Sequence, residues 1–166
     1  MRSVAVEDYV KCIWTLEEAG EDATGTAIAA RMGVSAASVT GMGRRLVQLG
    51  LVDQEPYRPW RLTANGRLLA LEVVRHHRLL ELFLSRSLGM GWDRIHAEAE
   101  VLEHHISEEL EELIAQSLGN PEFDPHGHPI PKRDGTMPER RGAPPLVELE
   151  AAEVLQRHGL EAQVPK

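Results

Sequence analysis

The sequence predicts a mainly α-helical protein with one small β-hairpin, and three observations carry that prediction. Apolar residues recur at helical spacing along most of the chain. Ser or Thr precedes several of these stretches and Gly closes many of them, as helix caps and stops require. One short passage instead sets apolar pairs on either side of a proline-rich tip, which is a hairpin pattern.

In order, residues 3–18 place Val6, Tyr9, Val10, Ile13 and Trp14 on one helical face, with Gly20 as the stop. Thr24 caps a short helix with Ile28 and Met32 inward, ended by Gly33. Ser35 caps the next, whose buried stripe is Val39, Met42, Leu46 and Leu49 before Gly50. Leu51-Val52 and Trp60-Arg61-Leu62 then flank Glu55-Pro56-Tyr57-Arg58-Pro59 as a hairpin. Thr63 opens a long helix running to about Ser87. Asp93 caps another that runs to Leu118, or breaks at Ser107 into two. Residues 121–145 hold most of the ten prolines and read as an extended linker, and 146–163 as a short helix.

Composition narrows the function. The 166 residues carry 18 Lys+Arg against 26 Asp+Glu, and the single cysteine excludes an intrachain disulfide framework. No apolar run is long enough to span a bilayer, and MRSVAVEDYVKCIW has acids where a signal peptide has its apolar run. A cytoplasmic protein with no membrane partner is the expectation. The net charge of −8 is unevenly spread. Residues 23–78 set eight Arg against Asp53, Glu55 and Glu72, whereas 79–125 set Arg86 and Arg94 against eleven acids. A basic block beside an acidic one suggests an anionic partner for the first and a cationic one for the second.

In the basic block, a short helix, a tight Gly33-Val34-Ser35 turn, a second helix and a hairpin form a winged helix-turn-helix pattern. The second helix would enter the major groove of double-stranded DNA with its N-terminal residues near base edges. Its outward positions are Ser35, Ala37, Ser38, Thr40, Gly41 and Arg44, with Arg58 and Arg61 on the wing. Small and hydroxylated side chains suit phosphate hydrogen bonds and thymine-methyl contacts better than bidentate guanine reading. The same spacing also serves a three-helix bundle that only packs.

In the acidic block, His77 and Glu81 share a helix face, and His96, Glu100, Glu103 and His104 share another. Six such side chains on leucine-flanked stripes resemble a metal site in a bundle core, because their uncompensated burial would be costly. Carboxylate and imidazole donors suit Mn²⁺ or Fe²⁺. His76 and His105 fall off the stripe and are expected at the surface, as is Cys12 in the core.

EDYVKCIWTLEE, GVSAASVTGMGRRL, LTANGRLLA, RHHRLLELFL, HAEAEVLEHHISEEL and FDPHGHPIP together resemble the diphtheria-toxin-repressor and manganese-repressor family over about residues 3–131. Members of that family are dimeric, metal-activated transcriptional regulators. The resemblance implies a primary site from Asp8, Glu100, Glu103 and His104, helped by the Glu100 carbonyl, and an ancillary site from His77, Glu81 and His96. The iron-responsive branch has methionine and cysteine where this chain has Asp8 and Glu100, while the manganese branch matches it. The short manganese repressors have a glutamate at Lys11 and no counterpart of His96, so the ancillary arrangement is favoured over a closely paired two-metal one. Longer members add an SH3-like domain, whose first residues PPLVELEAAEV resembles.

The resulting expectation has three parts. Residues 1–73 form a winged helix-turn-helix DNA-binding domain, 74–131 a helical metal-binding and dimerisation domain, and 132–166 a proline-containing linker or tail with the SH3-like domain absent or truncated. The function expected is a Mn²⁺-activated homodimeric repressor of metal-homeostasis genes at an inverted-repeat operator, with an Fe²⁺-responsive repressor as the alternative. Leu79, Leu80, Phe83, Leu84, Trp92, Leu102, Ile106 and Leu110 supply either the dimer surface or the monomer core. A carboxylate–histidine metalloenzyme competes, but HExxH and paired Glu-x-x-His motifs are absent, and no enzyme is expected.

Overall fold

The computed structural model describes residues 3–55 and 58–139. The wing tip at Pro56-Tyr57, the expected helix at 146–163 and the SH3-like resemblance lie outside the described residues. Among the described residues the order is α1 (Val4–Glu18), α2 (Gly25–Met32), α3 (Ala36–Gln48), β1 (Val52–Asp53), β2 (Arg61–Leu62), α4 (Ala64–Arg86), α5 (Trp92–Leu102) and α6 (Glu108–Ser117).

The capping residues act where the sequence places them. The side chains of Thr24, Ser35, Thr63 and Ser107 each accept a backbone N–H of the turn they open. Gly33 closes α2 in the left-handed region, at φ +65°, which turns the chain sharply into α3. β1 and β2 pair antiparallel, Val52 opposite Leu62 and Asp53 opposite Arg61. The winged helix-turn-helix is therefore present as expected.

Two apolar cores share one helix. The first gathers Val6, Val10, Ile13 and Trp14 of α1, Ile28, Val39 and Leu46 of α2 and α3, Val52 and Trp60 of the wing, and Leu69, Ala70, Leu71, Val73 and Val74 of α4. The second gathers Leu79, Leu80 and Leu82 of α4 with Ala99, Ile114, Ala115 and Ile130. The expected boundary at 73/74 thus falls inside one uninterrupted helix. Gly66 lets that helix start hard against the wing, since a Cβ there would lie 1.9 Å from the Leu51 carbonyl oxygen.

Four local expectations are corrected. Leu49 is 52% exposed rather than buried, and the Trp60 indole rests on Gly43 to close that side of α3. Gly91, not Asp93, is the N-cap of α5, and of the two courses the sequence left open the chain takes the break, with α5 ending at Leu102 and Ser107 capping α6. His76 is buried, not at the surface, with Nδ1 3.0 Å from the Glu103 carbonyl oxygen. Residues 121–139 are not an extended linker, because their prolines lie against a charged anchor on α4. Arg75 donates to the Pro131 carbonyl at 2.9 Å, Arg78 donates to that of Pro129, and Ile130 is wholly buried. The eight apolar residues left undecided by the sequence divide. Leu79, Leu80 and Leu84 are buried in the monomer, whereas Trp92 and Leu110 stay exposed, as does Leu113.

Candidate metal centre

α1, α4 and α5 bring their acids and imidazoles together because each carries them on the face turned toward the other two. His77 and Glu81 lie one turn apart on α4, and both are buried. His96 and Glu100 lie one turn apart on α5. The helix ends just beyond, so Glu103 caps it and His104 follows in the turn. That break points His104 at α1, away from the direction of His96. The single stripe read from the sequence is thereby split between two clusters.

In the cluster nearer α1, His104 Nε2 lies 2.9 Å from Asp8 Oδ1 and 3.4 Å from Glu103 Oε1. His104 Nδ1 lies 2.6 Å from Glu7 Oε2. A proton held on Nδ1 by Glu7 leaves Nε2 as the donor atom facing Asp8, the arrangement that orients a ligand imidazole. In the other cluster, Glu81 Oε1 lies 3.1 Å from both His77 Nε2 and His96 Nδ1. His77 joins the two, because its Nδ1 lies 2.6 Å from Glu103 Oε2.

The donor atoms of Asp8, Glu103 and His104 all fall within 4.8 Å of one another, as do those of His77, Glu81 and His96. Both sets offer hard oxygens with imidazole nitrogen, the chemistry that fits Mn²⁺ or Fe²⁺. An open cleft of about 740 Å³ lined by Asp8, Lys11, His96, Glu100 and His104 gives solvent access. Cys12 also lines it, but burial raises its pKa and keeps it a thiol, consistent with a core role.

The electrostatics match a site built for positive charge. Burial alone would raise the Glu81 pKa, yet hydrogen bonds from His77 and His96 bring it down to about 2. Burial works to lower the His77 pKa, but Glu103 and Glu81 outweigh it and the net shift is upward. Asp8 is raised, chiefly by burial and also by Glu103 and Glu100. Glu100 is lowered despite burial, because Lys11 holds it.

Not every expected ligand arrives. Glu100 Oε1 sits 2.7 Å from Lys11 Nζ and 3.8 Å from His96 Nε2, and does not join the Asp8 triad. Three contributors escaped the sequence reading as members of the site: Glu7, Lys11 and Asp124. Glu7 adjoins Asp8, and Lys11 stands three residues on, on the same helix face, which was the available signal. Asp124 is buried and anchors the His126 and His128 loop by accepting both of their backbone N–H groups. His126 Nδ1 then comes within 3.6 Å of Glu81.

On the basic side, Ser35, Ala37, Ser38, Thr40 and Arg44 are exposed along one face of α3. Ser35 Oγ accepts the Ser38 N–H at 3.1 Å, and Thr40 Oγ1 donates to the Ala36 carbonyl at 2.9 Å. The outward chemistry there is therefore methyl and hydroxyl lone pair, plus the Arg44 charge. Arg58 is exposed, whereas Arg61 pairs with Asp22 at 3.4 Å.

A winged helix-turn-helix whose first helix lends a carboxylate to a histidine–carboxylate centre on the following helices is the class these features define. Two family models match the chain. Iron dependent repressor, N-terminal DNA binding domain, covers residues 1–59, and Iron dependent repressor, metal binding and dimerisation domain, covers 63–132. The iron-dependent repressor IdeR of Mycobacterium bovis is 38% identical over 125 residues, 75% of this chain and 54% of that protein. The diphtheria toxin repressor of Corynebacterium jeikeium is 35% identical over 131 residues, 79% of this chain and 55% of that protein. A structure of a manganese-dependent transcriptional repressor in complex with manganese is 46% identical at a TM-score of 0.75, over 81% of this chain and 62% of that one. The manganese regulator SloR is 32% identical at a TM-score of 0.73, over 94% of this chain and 79% of that one. The chain belongs to the iron-dependent repressor family. It spans about half the length of the curated relatives it matches.

Proposed function

We propose that this protein is a metal-activated transcriptional repressor that binds an inverted-repeat DNA operator as a homodimer, with Mn²⁺ the favoured metal and Fe²⁺ the alternative. The observation that carries the reading is the convergence of Asp8, from the DNA-binding half, with Glu103 and His104, from the helical half. A divalent cation supplies there a positive centre that both halves can ligate at once. Asp8, Glu103 and His104 form the primary set, with Glu100 and its carbonyl as the further donors the family resemblance implies, and His77, Glu81 and His96 the ancillary one. Asp8 and Glu100 provide oxygen where the iron-responsive branch has sulfur, which favours Mn²⁺.

Ligation by Asp8 fixes α1 against the end of α5, and α2 and α3 pack on α1 in the same core. Through that core the side chains set the position of the recognition helix. Two such helices about 34 Å apart meet successive major grooves. Ser35, Ala37, Ser38 and Thr40 then lie at base edges and phosphates, and Arg44, Arg58 and Arg61 at phosphates. Exposed Trp92, Leu110 and Leu113 offer the dimer face. Metal favours DNA binding only by its higher affinity for the competent arrangement, and couplings of this kind are about 1–3 kcal/mol.

The reading is non-enzymatic, and its test is DNA binding to the matching promoter DNA, followed by fluorescence anisotropy. Chelator-treated protein is expected to bind weakly, and Mn²⁺ to restore tight binding to a palindromic site. Equal affinity with and without metal would refute it.

A further inference from the structure

Three ligand clusters run side by side and share members: His77–Glu81–His96, then His77–Glu100–Glu103, then Asp8–Glu103–His104. His77 belongs to the first two and Glu103 to the last two. The middle cluster already holds a positive charge belonging to the chain. Lys11 Nζ donates to Glu100 Oε1 at 2.7 Å and reaches Glu103 Oε1 and Oε2 at 2.8 Å each. His77 Nδ1 lies 3.3 Å away, beside the same Glu103 carboxylate. Three carboxylate oxygens from two glutamates therefore surround the ammonium, much as oxygens surround a bound cation.

Burial makes this more than a surface pairing. The Glu103 side chain is wholly buried and Lys11 is 17% exposed. Lys11 stands on α1, whereas Glu100 and Glu103 belong to α5 and its cap. The ammonium therefore makes the same cross-connection that a ligated cation would make one triad further on. It also engages both oxygens of Glu103, which the Asp8 triad needs.

We infer that the Lys11 ammonium is a tethered cation occupying the middle cluster, where it holds the metal-free site together and lowers the affinity of the neighbouring triad for a divalent ion. The inference rests on the metal-dependent reading above and concerns its threshold. Two effects point the same way. A dication beside the ammonium meets like charge, and Glu103 must loosen from Lys11 to turn toward the metal. Without Lys11 the carboxylates Glu100 and Glu103 lose their compensating charge until metal arrives, so the metal-free state weakens while the loaded state gains.

The experiment uses the full chain, freed of metal by chelator, as wild type, Lys11→Met, Lys11→Gln and Lys11→Arg. Mn²⁺ affinity is measured by equilibrium dialysis with manganese counted by atomic absorption, and thermal midpoints are recorded without metal. Lys11→Met and Lys11→Gln are expected to bind Mn²⁺ about tenfold tighter or more, as removal of a unit charge beside a dication implies. Their metal-free midpoints are expected to fall, while Lys11→Arg, which keeps the charge, stays near wild type in affinity. Unchanged or weaker Mn²⁺ binding in the neutral variants, with wild type binding normally, overturns the inference and leaves the metal-dependent reading standing. Failure of wild type itself to bind Mn²⁺ overturns both.

Discussion

Replacement of Glu103 by alanine tests the centre at its most connected residue. Its buried carboxylate is within 2.8 Å of Lys11 Nζ and 2.6 Å of His77 Nδ1. Removing one partner of a buried pair typically costs about 3–5 kcal/mol. Here Glu100 remains 2.7 Å from Lys11, and Glu81 remains 3.1 Å from His77. The metal-free loss is therefore expected at the low end, about 3 kcal/mol. Metal dependence gives the sharper readout. A ligand at a hundred times its Kd stabilises a protein by about 2.7 kcal/mol. For a chain of this size that corresponds to a rise in Tm of about 5–11 °C. Differential scanning calorimetry of wild type with Mn²⁺ against chelator should show that rise. In Glu103→Ala it should shrink markedly, because the primary set loses its buried donor while His77, Glu81 and His96 remain. A Glu103→Ala protein that keeps the full metal-induced rise would refute the assignment of Glu103 to the primary set.

Gly66→Ala should lower stability by about 3 kcal/mol or more, since its Cβ would meet the Leu51 carbonyl oxygen at 1.9 Å and neither backbone can yield cheaply; urea unfolding measures it. Arg44→Ala and Arg58→Ala should each flatten the plot of log affinity for DNA against log salt by about one, with Mn²⁺ binding in DNA-free protein unaltered. Arg61→Ala should flatten it less, because Arg61 must first leave Asp22. The pH dependence follows from two groups. Glu81, held near 2, contributes metal-free stability above the ordinary carboxylate range, and that contribution is lost as pH falls toward 2. His77, raised above its ordinary value, contributes below that value and loses the contribution as pH climbs through its folded pKa. Since metal competes with the His77 proton, Mn²⁺ affinity should rise over the same upper interval, and a flat profile by dialysis would count against His77 as a ligand.

Local chemistry was legible and distant geometry was not. The caps Thr24, Ser35, Thr63 and Ser107 are short-range features, and each forms the bond its neighbours invite. The two-residue wing strands were readable for the same reason. Helical periodicity also placed His77 with Glu81 and His96 with Glu100, but it assumed that α5 continued through His104. A break at Ser107 was one of the two courses the sequence offered, but not its early start after Leu102, where the Glu103 carbonyl meets His76 from 27 positions away. The proline-rich exit was misread because prolines signal the absence of regular structure, not the absence of packing. Arg75 and Arg78, fifty residues or so earlier, hold it down. Lys11 presented the hardest case, since its meaning depends on Glu100 and Glu103, 89 and 92 positions away.

α4 has one further implication, and it is mechanical. Its 23 residues form a continuous rod, about 34 Å long at 1.5 Å per residue, with the wing at one end and His77 and Glu81 toward the other. Between the two cores there is accordingly no slack to take up. Helical phase couples them, because each residue added to the rod would swing everything beyond it by about 100°. The clasp of Asp8 on His104 closes a ring made of α1, α4 and α5, and a ring with one stiff member has few ways to change shape. Across the seam between α1 and the end of α5, the described residues set Asp8 against His104 and Lys11 against Glu100 and Glu103.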